Sequence, residues 1–284
     1  MTYREKYFEL KNLNNKYLNN NVIKTLLMDD GGFNDFISLL ANFDKEIKDD
    51  NKLKKFIKMI ENGEPYQYVL GYAYFVNSNY KVTPDVLIPR QETEQLAVSV
   101  MSMIVKLFGK DPKITIVDVG TGSGILAIYL KEYFKNSNVI AVDISEKALD
   151  VAKENAKLHN VDIDFRQGNM LDSLKNESID VIISNPPYIL DESTVAPETL
   201  KYEPHLALFA NPTTKYYEEI LSHMELMNDK YLIAFEIGED MEEALTHLLE
   251  SDYKGLAYKF EKDMYGKSRF LYIIRNEEIK KYDC

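Results

Sequence analysis

The sequence predicts an α/β protein, a mostly parallel sheet with helices on both faces, preceded by a small helical domain. Three observations carry that prediction. From residue 91 onward, apolar strand-like runs alternate with segments of helical periodicity, the pattern of a parallel sheet joined by crossover helices. A glycine-rich turn, Gly120-Thr121-Gly122-Ser123-Gly124, stands between the first such strand and the next helix. Before residue 63 the apolar residues recur only at helical spacing.

The elements follow in order. Val22, Ile23, Leu26 and Leu27, then Phe33, Phe36, Ile37 and Leu40, mark helices separated by Asp29-Asp30-Gly31-Gly32. Leu53, Phe56, Ile57 and Ile60 mark another, so residues 1–62 read as a helical domain without a chemical motif. Residues 63–90 are rich in aromatic and β-branched side chains from Tyr66 to Val76, followed by Asn77-Ser78-Asn79 and Tyr80-Lys81-Val82, which predicts a β-hairpin linker. Residues 91–284 then form the larger domain. Glu92–Phe108 is a helix, with Thr93 or the residues just before it as its cap. Strands are expected at Ile114–Val119, Asn138–Asp143, Asp162–Arg166, Ile179–Ser184 and Tyr231–Ile237. Helices are expected at Ile125–Phe134, from Ser145 to about His159, and near 214–228. Ala257–Lys262 and Ser268–Arg275 have only the turn-like Met264-Tyr265-Gly266-Lys267 between them, which predicts an antiparallel pair at the sheet edge.

Composition narrows the functional classes. The 284 residues are 45% hydrophobic and 28% charged, which excludes a disordered or collagen-like chain. The net charge of −12 argues against a broad phosphate-binding surface, so no direct nucleic-acid binding is expected. The single cysteine, Cys284, excludes an internal disulfide or a cysteine zinc site and fits a reducing cytosol. His159, His205, His223 and His247 have no ligand spacing, so no metal is expected. No apolar run approaches the ~18 residues of a membrane span, and the charged N-terminus lacks a signal-peptide core. The expectation is a cytoplasmic protein without membrane contact.

Two motifs carry chemistry. In the first, glycines between strand and helix let the backbone approach a ligand, and the helix behind them presents N–H groups. Asp143 ends the next strand, where a carboxylate can accept from both hydroxyls of a ribose. This predicts a nucleoside-containing cofactor at the carboxyl ends of the strands. The run Gly122-Ser123-Gly124-Ile125-Leu126-Ala127 also satisfies a dinucleotide fingerprint, so this motif alone leaves a nicotinamide enzyme open.

The second motif is Asn185-Pro186-Pro187-Tyr188, directly after the strand Ile179–Ser184. Each residue before a proline is pushed to extended backbone, so the chain leaves the sheet stiffly. The Asn185 side-chain oxygen and the Pro186 carbonyl are two acceptors, which suit the two donors of an NH2 group. Tyr188 can stack on the flat group that bears it. An amide or arylamine nitrogen is a poor nucleophile because its lone pair is delocalised. Acceptors on its N–H groups stabilise the positive charge that develops as a methyl arrives. Together the two motifs point to methyl transfer from S-adenosylmethionine.

The chain resembles the HemK/PrmC family on the class I methyltransferase fold, a Rossmann-like, mostly parallel sheet with an antiparallel edge pair. The resemblance rests on Asp118–Gly124 with Asn185–Tyr188, on Gly63-Glu64-Pro65 followed by Tyr68 and Gly71–Phe75, and on Leu87–Glu94, similar to the family's "liPRpeTE" signature. Tyr202-Glu203-Pro204 with Ala207-Leu208, Phe235–Gly238, and Asp263 with Gly266 and Arg269 also match. It covers about residues 63–275.

The resemblance implies methylation of the side-chain amide of the glutamine in the Gly-Gly-Gln motif of class 1 peptide chain release factors. It implies that Gly120, Thr121, Gly122, Ser123 and Gly124 line the methionine part of S-adenosylmethionine and that Asp143 holds the ribose. Asn169 and Met170 would flank the adenine, with Asn185 between cofactor and substrate. Asn185, Pro186, Pro187 and Tyr188 would bind the glutamine amide, and Asn185, Pro186 and Tyr188 would be the catalytic set. Apart from the resemblance, Arg90, Glu92 and Glu94 stand beside the expected active-site loop; they either order it over substrate or cofactor, with Arg90 a substrate-binding candidate, or Glu92 and Glu94 are simply the acidic first turn of a helix. The N-terminal helices would help bind the protein partner. The sequence departs from the family pattern at Asn169-Met170, where an Asp followed by an aromatic is usual, and at Gln91, where a second proline is usual. A nucleic-acid amino-methyltransferase is the alternative reading, since the same motif serves a flipped base.

Overall fold

The computed structural model describes residues 1–276. The chain divides into two compact units, Met1–Tyr72 with Pro197–Tyr202, and Ala73–Ala196 with the residues from Glu203 onward. Cys284 lies outside the described residues.

The first unit is helical: α1 (Tyr3–Asn12), α2 (Asn20–Gly31), α3 (Phe36–Ala41), α4 (Asn51–Glu61) and α5 (Tyr66–Leu70). Local chemistry starts each of the first three. Thr2 caps α1 in a reciprocal box with Glu5, Asn19 accepts from the first amides of α2, and Asp35 caps α3. Gly32, at φ 64°, ends α2 in the left-handed conformation. Leu10, Ile23, Leu26, Leu27, Leu39, Leu53 and Ile60 form the core of this unit. Two residues expected on the buried face of the third helix, Ile37 and Leu40, are exposed, and Leu39 is buried in their place. Phe33 and Phe36 do pack against the core as expected, so the inward stripe runs through Phe36, Leu39 and Phe43.

Residues 63–90 are divided between the units. Tyr66–Leu70, expected as the first arm of the hairpin, is helical, because Pro65 starts a turn that Gly71, at φ 83°, ends. Its aromatic content is served by packing against the helical core. The hairpin itself is shorter, β1 (Tyr72–Phe75) and β2 (Ser78–Lys81), joined at Val76-Asn77. A further short helix of the first unit, Pro197–Tyr202 (α9 in chain order), fell within an expected loop. Its Glu198 accepts from Lys16 Nζ at 2.8 Å and from the Tyr17 hydroxyl at 2.5 Å.

The second unit continues as α6 (Gln91–Phe108), β3 (Thr115–Val119), α7 (Ile125–Tyr133), β4 (Asn138–Asp143), α8 (Glu146–Leu158), β5 (Asp164–Gln167), β6 (Ile179–Ser184), α10 (Lys215–Leu221), β7 (Met227–Glu236), α11 (Glu242–Asp252), β8 (Tyr258–Lys262) and β9 (Ser268–Arg275). The sheet order is β5-β4-β3-β6-β7-β9-β8. The pairs among β5, β4, β3, β6 and β7 are parallel. The pairs β7–β9 and β9–β8 are antiparallel, the expected edge. Successive strand residues feed opposite faces. Ile116, Val139, Val181 and Leu232 pack under Leu96, Val100 and Ile128 of α6 and α7. Val117, Ile140, Ile182 and Ile233 pack under Tyr217, Ile220, Leu245 and Leu249 of α10 and α11.

Two expectations change here and one is resolved. No element is expected between Ile237 and Ala257, yet α11 stands there, with Glu242 and Glu243 in its first turn and Leu245, Leu248 and Leu249 buried. Helix α10 is shorter than 214–228, and β7 begins at Met227. Of the two caps expected for α6, Thr93 is not the one: the N-cap lies just before it, at Arg90, whose side chain makes no capping bond. Among the described residues no helix is long and apolar enough to cross a membrane.

Candidate active site

The strands β3 and β6 are neighbours, and the chain leaves β3 toward β4 on its other side. A crevice opens outside the carboxyl ends of strands at such a reversal. Here it is a cleft of about 170 Å³ whose wall includes Gly120, Thr121, Gly122, Ser123, Asp143, Asn169, Met170, Asn185 and Pro187. The loops after four adjacent parallel strands thus bring together residues that are far apart in sequence.

The glycine turn is tied to β4. The amides of Gly120 and Thr121 both donate to the Val142 carbonyl at 2.9 Å. The Gly122 amide donates to Asp143 Oδ2 at 2.8 Å, and the Ser145 amide to Asp143 Oδ1 at 2.9 Å. Gly120 and Gly122 stand at φ 70° and 55°, and nothing lies within 4 Å of where a Cβ would project. That open space on the cleft wall is a cradle that side chains would fill. Gly124 is different: it is not part of the wall, and a Cβ there would stand 2.9 Å from the Ala152 Cβ on α8. It serves the close approach of two helices.

Beneath the turn lies Asp118, 1% exposed. Its Oδ2 accepts from the Thr121 hydroxyl at 2.6 Å and from the Ala127 amide at 3.1 Å. Burial pushes its pKa up to about 7, against the pull of those two bonds. The turn's amides at Gly120, Thr121, Gly122 and Gly124 are all engaged within the protein. A pyrophosphate needs such amides free, so the arrangement favours a cofactor without a phosphate bridge. Burial also raises the Asp143 pKa, opposed by the backbone amides that it accepts from.

The far end of the cleft carries Gly168, Asn169 and Met170. Asn169 Nδ2 donates to the Glu219 carboxylate from α10. With its NH2 engaged, the Asn169 carbonyl is the end left to accept from a ligand. Sequence reasoning did not single out Glu219.

At the near end, Asn185 and Pro187 stand on the wall, Pro186 is buried, and Tyr188 is half-buried in the sheet core. Asn185 Nδ2 donates to Thr93 Oγ1 at 3.2 Å, and the Thr93 hydroxyl donates to Glu236 Oε2 at 2.7 Å. The Tyr188 hydroxyl lies 3.5 Å from Glu236 Oε1. Its ring packs beside Gly238, where a Cβ would come within 3.3 Å of Tyr188 Cδ2. Burial raises the Tyr188 pKa, so its hydroxyl stays protonated.

Arg90 is held away from the wall. Its Nη2 lies 2.5 Å from Glu203 Oε1, and Glu203 Oε2 accepts from the Ile88 amide at 3.1 Å. Glu203 is 5% exposed. The pair joins the 85–90 loop to the segment Pro204–Ala207, and both border the cleft. Glu92 and Glu94 stand in the first turn of α6, where negative charge suits the helix dipole. Asn155 was not foreseen either. Fully buried, it accepts from the Lys81 amide and donates to the carbonyls of Lys81 and Ser123, joining the hairpin to the glycine turn. No group of histidine, cysteine or carboxylate side chains suited to a metal occurs among the described residues.

Comparison with known proteins places the chain among methyltransferases. Residues 100–228 match the methyltransferase small domain family. The chain is 35% identical over 257 residues to a release factor glutamine methyltransferase of Bacillus subtilis, covering 88% of this chain and 89% of that protein. It is 39% identical over 215 residues to a protein of the same name from Staphylococcus aureus, covering 74% and 75%. Among solved structures, the catalytic domain of human METTL16 with an RNA hairpin superposes with a TM-score of 0.55. That match covers 70% of this chain and 75% of that one at 15% identity, and so speaks for the fold alone.

Proposed function

The chain belongs to the release factor glutamine methyltransferase family, and from that premise we propose how its cleft carries out the reaction. It is an enzyme that transfers a methyl group from S-adenosylmethionine to a glutamine side-chain nitrogen. The acceptor in this reading is the Gly-Gly-Gln glutamine of class 1 peptide chain release factors, which also puts the enzyme in the cytoplasm.

The cleft fits the cofactor on three counts. Gly120 and Gly122 leave open space along the wall for its amino-acid part. Asp143 retains lone pairs for two ribose hydroxyls while its backbone bonds hold it in place. Asn169 offers a carbonyl to an exocyclic amine, with Met170 beside it. When bound, S-adenosylmethionine supplies an electrophilic methyl on a positively charged sulfur.

The protein's work on the acceptor is to hold and polarise an amide. Asn185 gives its NH2 to Thr93, so its carbonyl oxygen is the acceptor left for substrate. The Pro186 carbonyl supplies the second acceptor. The two bonds draw on the glutamine N–H groups, raise electron density on nitrogen, and stabilise the charge that forms with the new bond. Tyr188 supports the segment from the core side and lies against the amide plane. Arg90 and Glu203 keep two loops at the cleft in place, and the helical unit grips the partner protein.

The observation that carries this reading is the Asn185–Thr93 bond, because it selects which end of the asparagine faces substrate. The test is methyl transfer from radiolabelled S-adenosylmethionine to purified release factor, with a Gln-to-Ala variant of Gly-Gly-Gln as control. Label on the wild-type factor alone is expected. Asn185→Ala should lower turnover about 100-fold or more while S-adenosylhomocysteine still binds. Near-normal turnover would remove Asn185 from the mechanism. Absence of label on either factor, with cofactor bound, would point to a nucleic-acid acceptor.

A further inference from the structure

Glu236 ends β7 in the core and is 1% exposed. It meets both ends of the Asn185–Tyr188 segment, through Thr93 at 2.7 Å and at the Tyr188 hydroxyl at 3.5 Å. An ionised carboxylate only accepts hydrogen bonds, and a threonine hydroxyl has one proton to give. While Glu236 is ionised, the Thr93 proton is committed to it. Thr93 can then offer Asn185 only a lone pair, which selects the Asn185 NH2 and leaves the carbonyl for the cleft. Without that carboxylate the hydroxyl is free to donate to Asn185 Oδ1. The asparagine could then turn over and present N–H groups to the N–H groups of an acceptor amide, which have nothing to accept them with.

We propose that Glu236 is a positioning residue for methyl transfer: acting through Thr93, it dictates that the Asn185 carbonyl faces the acceptor nitrogen. The inference rests on the reading of Asn185 as the acceptor of the glutamine N–H. Several groups face Glu236 from the elements around it. Thr93 and Glu92 come from α6, Arg269 from β9, Tyr188 from the loop after β6, and Tyr217 of α10 donates to its backbone carbonyl at 2.9 Å. Burial pushes the Glu236 pKa up, Thr93 and Arg269 pull it down, and Glu92 raises it again, to about 7. The ionised form therefore grows through the neutral range, and the correctly turned Asn185 grows with it.

The experiment compares wild type with Glu236→Gln, Thr93→Val and Thr93→Ser. It measures turnover on release factor across pH, S-adenosylhomocysteine binding by calorimetry, and the NMR signals of the Asn185 side-chain amide. Wild-type kcat should rise with pH through about 7. Glu236→Gln should abolish that rise and lower kcat about tenfold or more at the high-pH end, with KM and S-adenosylhomocysteine affinity within about threefold. Thr93→Val should match it, their double variant should be no worse, and Thr93→Ser should retain wild-type behaviour. The Asn185 amide signals should move with pH in wild type and stay still in Glu236→Gln, whatever the acceptor. A normal kcat and pH rise in Glu236→Gln, or static amide signals in wild type, would overturn the inference. Failure of wild type to methylate the release factor, with amide signals that do titrate, would instead overturn the acceptor reading on which it stands.

Discussion

Gly124→Ala separates two reasons for glycine in the turn below the cleft, backbone conformation and close packing. Gly124 has φ 80° and caps α7. A Cβ there would meet Ala152 Cβ at 2.9 Å, Ala152 Cα at 3.1 Å and Ile128 Cδ1 at 3.3 Å. The left-handed backbone costs a non-glycine residue about 1–2 kcal/mol. Overpacking against the α8 backbone adds about 1–3 kcal/mol, since α8 cannot yield without lifting from the sheet. A stiffer unfolded chain returns about 0.4–1 kcal/mol. The expected loss is therefore about 1–4.5 kcal/mol. Hydrogen exchange of β3 and β4 amides reads the opening free energy of this unit, and urea unfolding gives an independent value. Gly120→Ala is the control: at φ 70° with open space beyond it, it should lose only the conformational part. Its methyl group would stand on the cleft wall, so it should weaken S-adenosylhomocysteine binding more than Gly124→Ala does. A Gly124→Ala variant within about 0.5 kcal/mol of wild type would refute the packing argument.

Other expectations follow from single contacts. Asn155→Leu strands the buried Ser123 carbonyl and takes a partner from the half-buried Lys81 amide and carbonyl, and should cost about 2 kcal/mol or more in thermal or urea unfolding. Glu203→Ala leaves the buried Ile88 amide unpaired and should cost about 1–3 kcal/mol, and loosening two loops at the cleft should raise the KM for release factor. Asn169→Asp sets a second carboxylate against Glu219, so S-adenosylhomocysteine should bind more weakly, and adding Glu219→Gln should restore it. Asp118 and Glu236 are both raised to about 7 by burial, so each binds its proton more tightly folded than unfolded. Their contribution to stability is full below about pH 4 and is lost as pH rises through about 7. In urea unfolding across that window, Glu236→Gln should show a shallower loss than wild type.

The parts legible in the sequence share a property: their signal is local. The strands Asn138–Asp143 and Ile179–Ser184 were bounded correctly because buried parallel strands are continuous apolar runs ended by polar residues. The glycine turn, Asp143 and Asn185-Pro186-Pro187-Tyr188 each lie at the end of such a strand, so finding the strand placed them. Errors arose where a tertiary partner overrode propensity. Tyr66–Leu70 has strand-like composition, yet Pro65 and Gly71 frame one helical turn that packs on other helices. Helix α11 begins with acidic residues, and only the sheet beneath it distinguishes Leu245, Leu248 and Leu249 from a solvated segment.

The sequence by itself therefore determined the architecture and where the glycine turn, Asp143 and Asn185–Tyr188 stand on it, because turn chemistry and hydrophobic period act over a few residues. Only the tertiary structure decided how those groups are aimed. Thr93 lies 92 residues before Asn185 and 143 before Glu236. Their contact exists because β6 and β7 pair and α6 packs over the same sheet. Read alone, Thr93 resembled a helix cap and Glu236 a residue near the end of a strand, within the family-like run Phe235–Gly238. In a dry interior their single proton can point only one way, and that direction selects the face that Asn185 turns to the cleft.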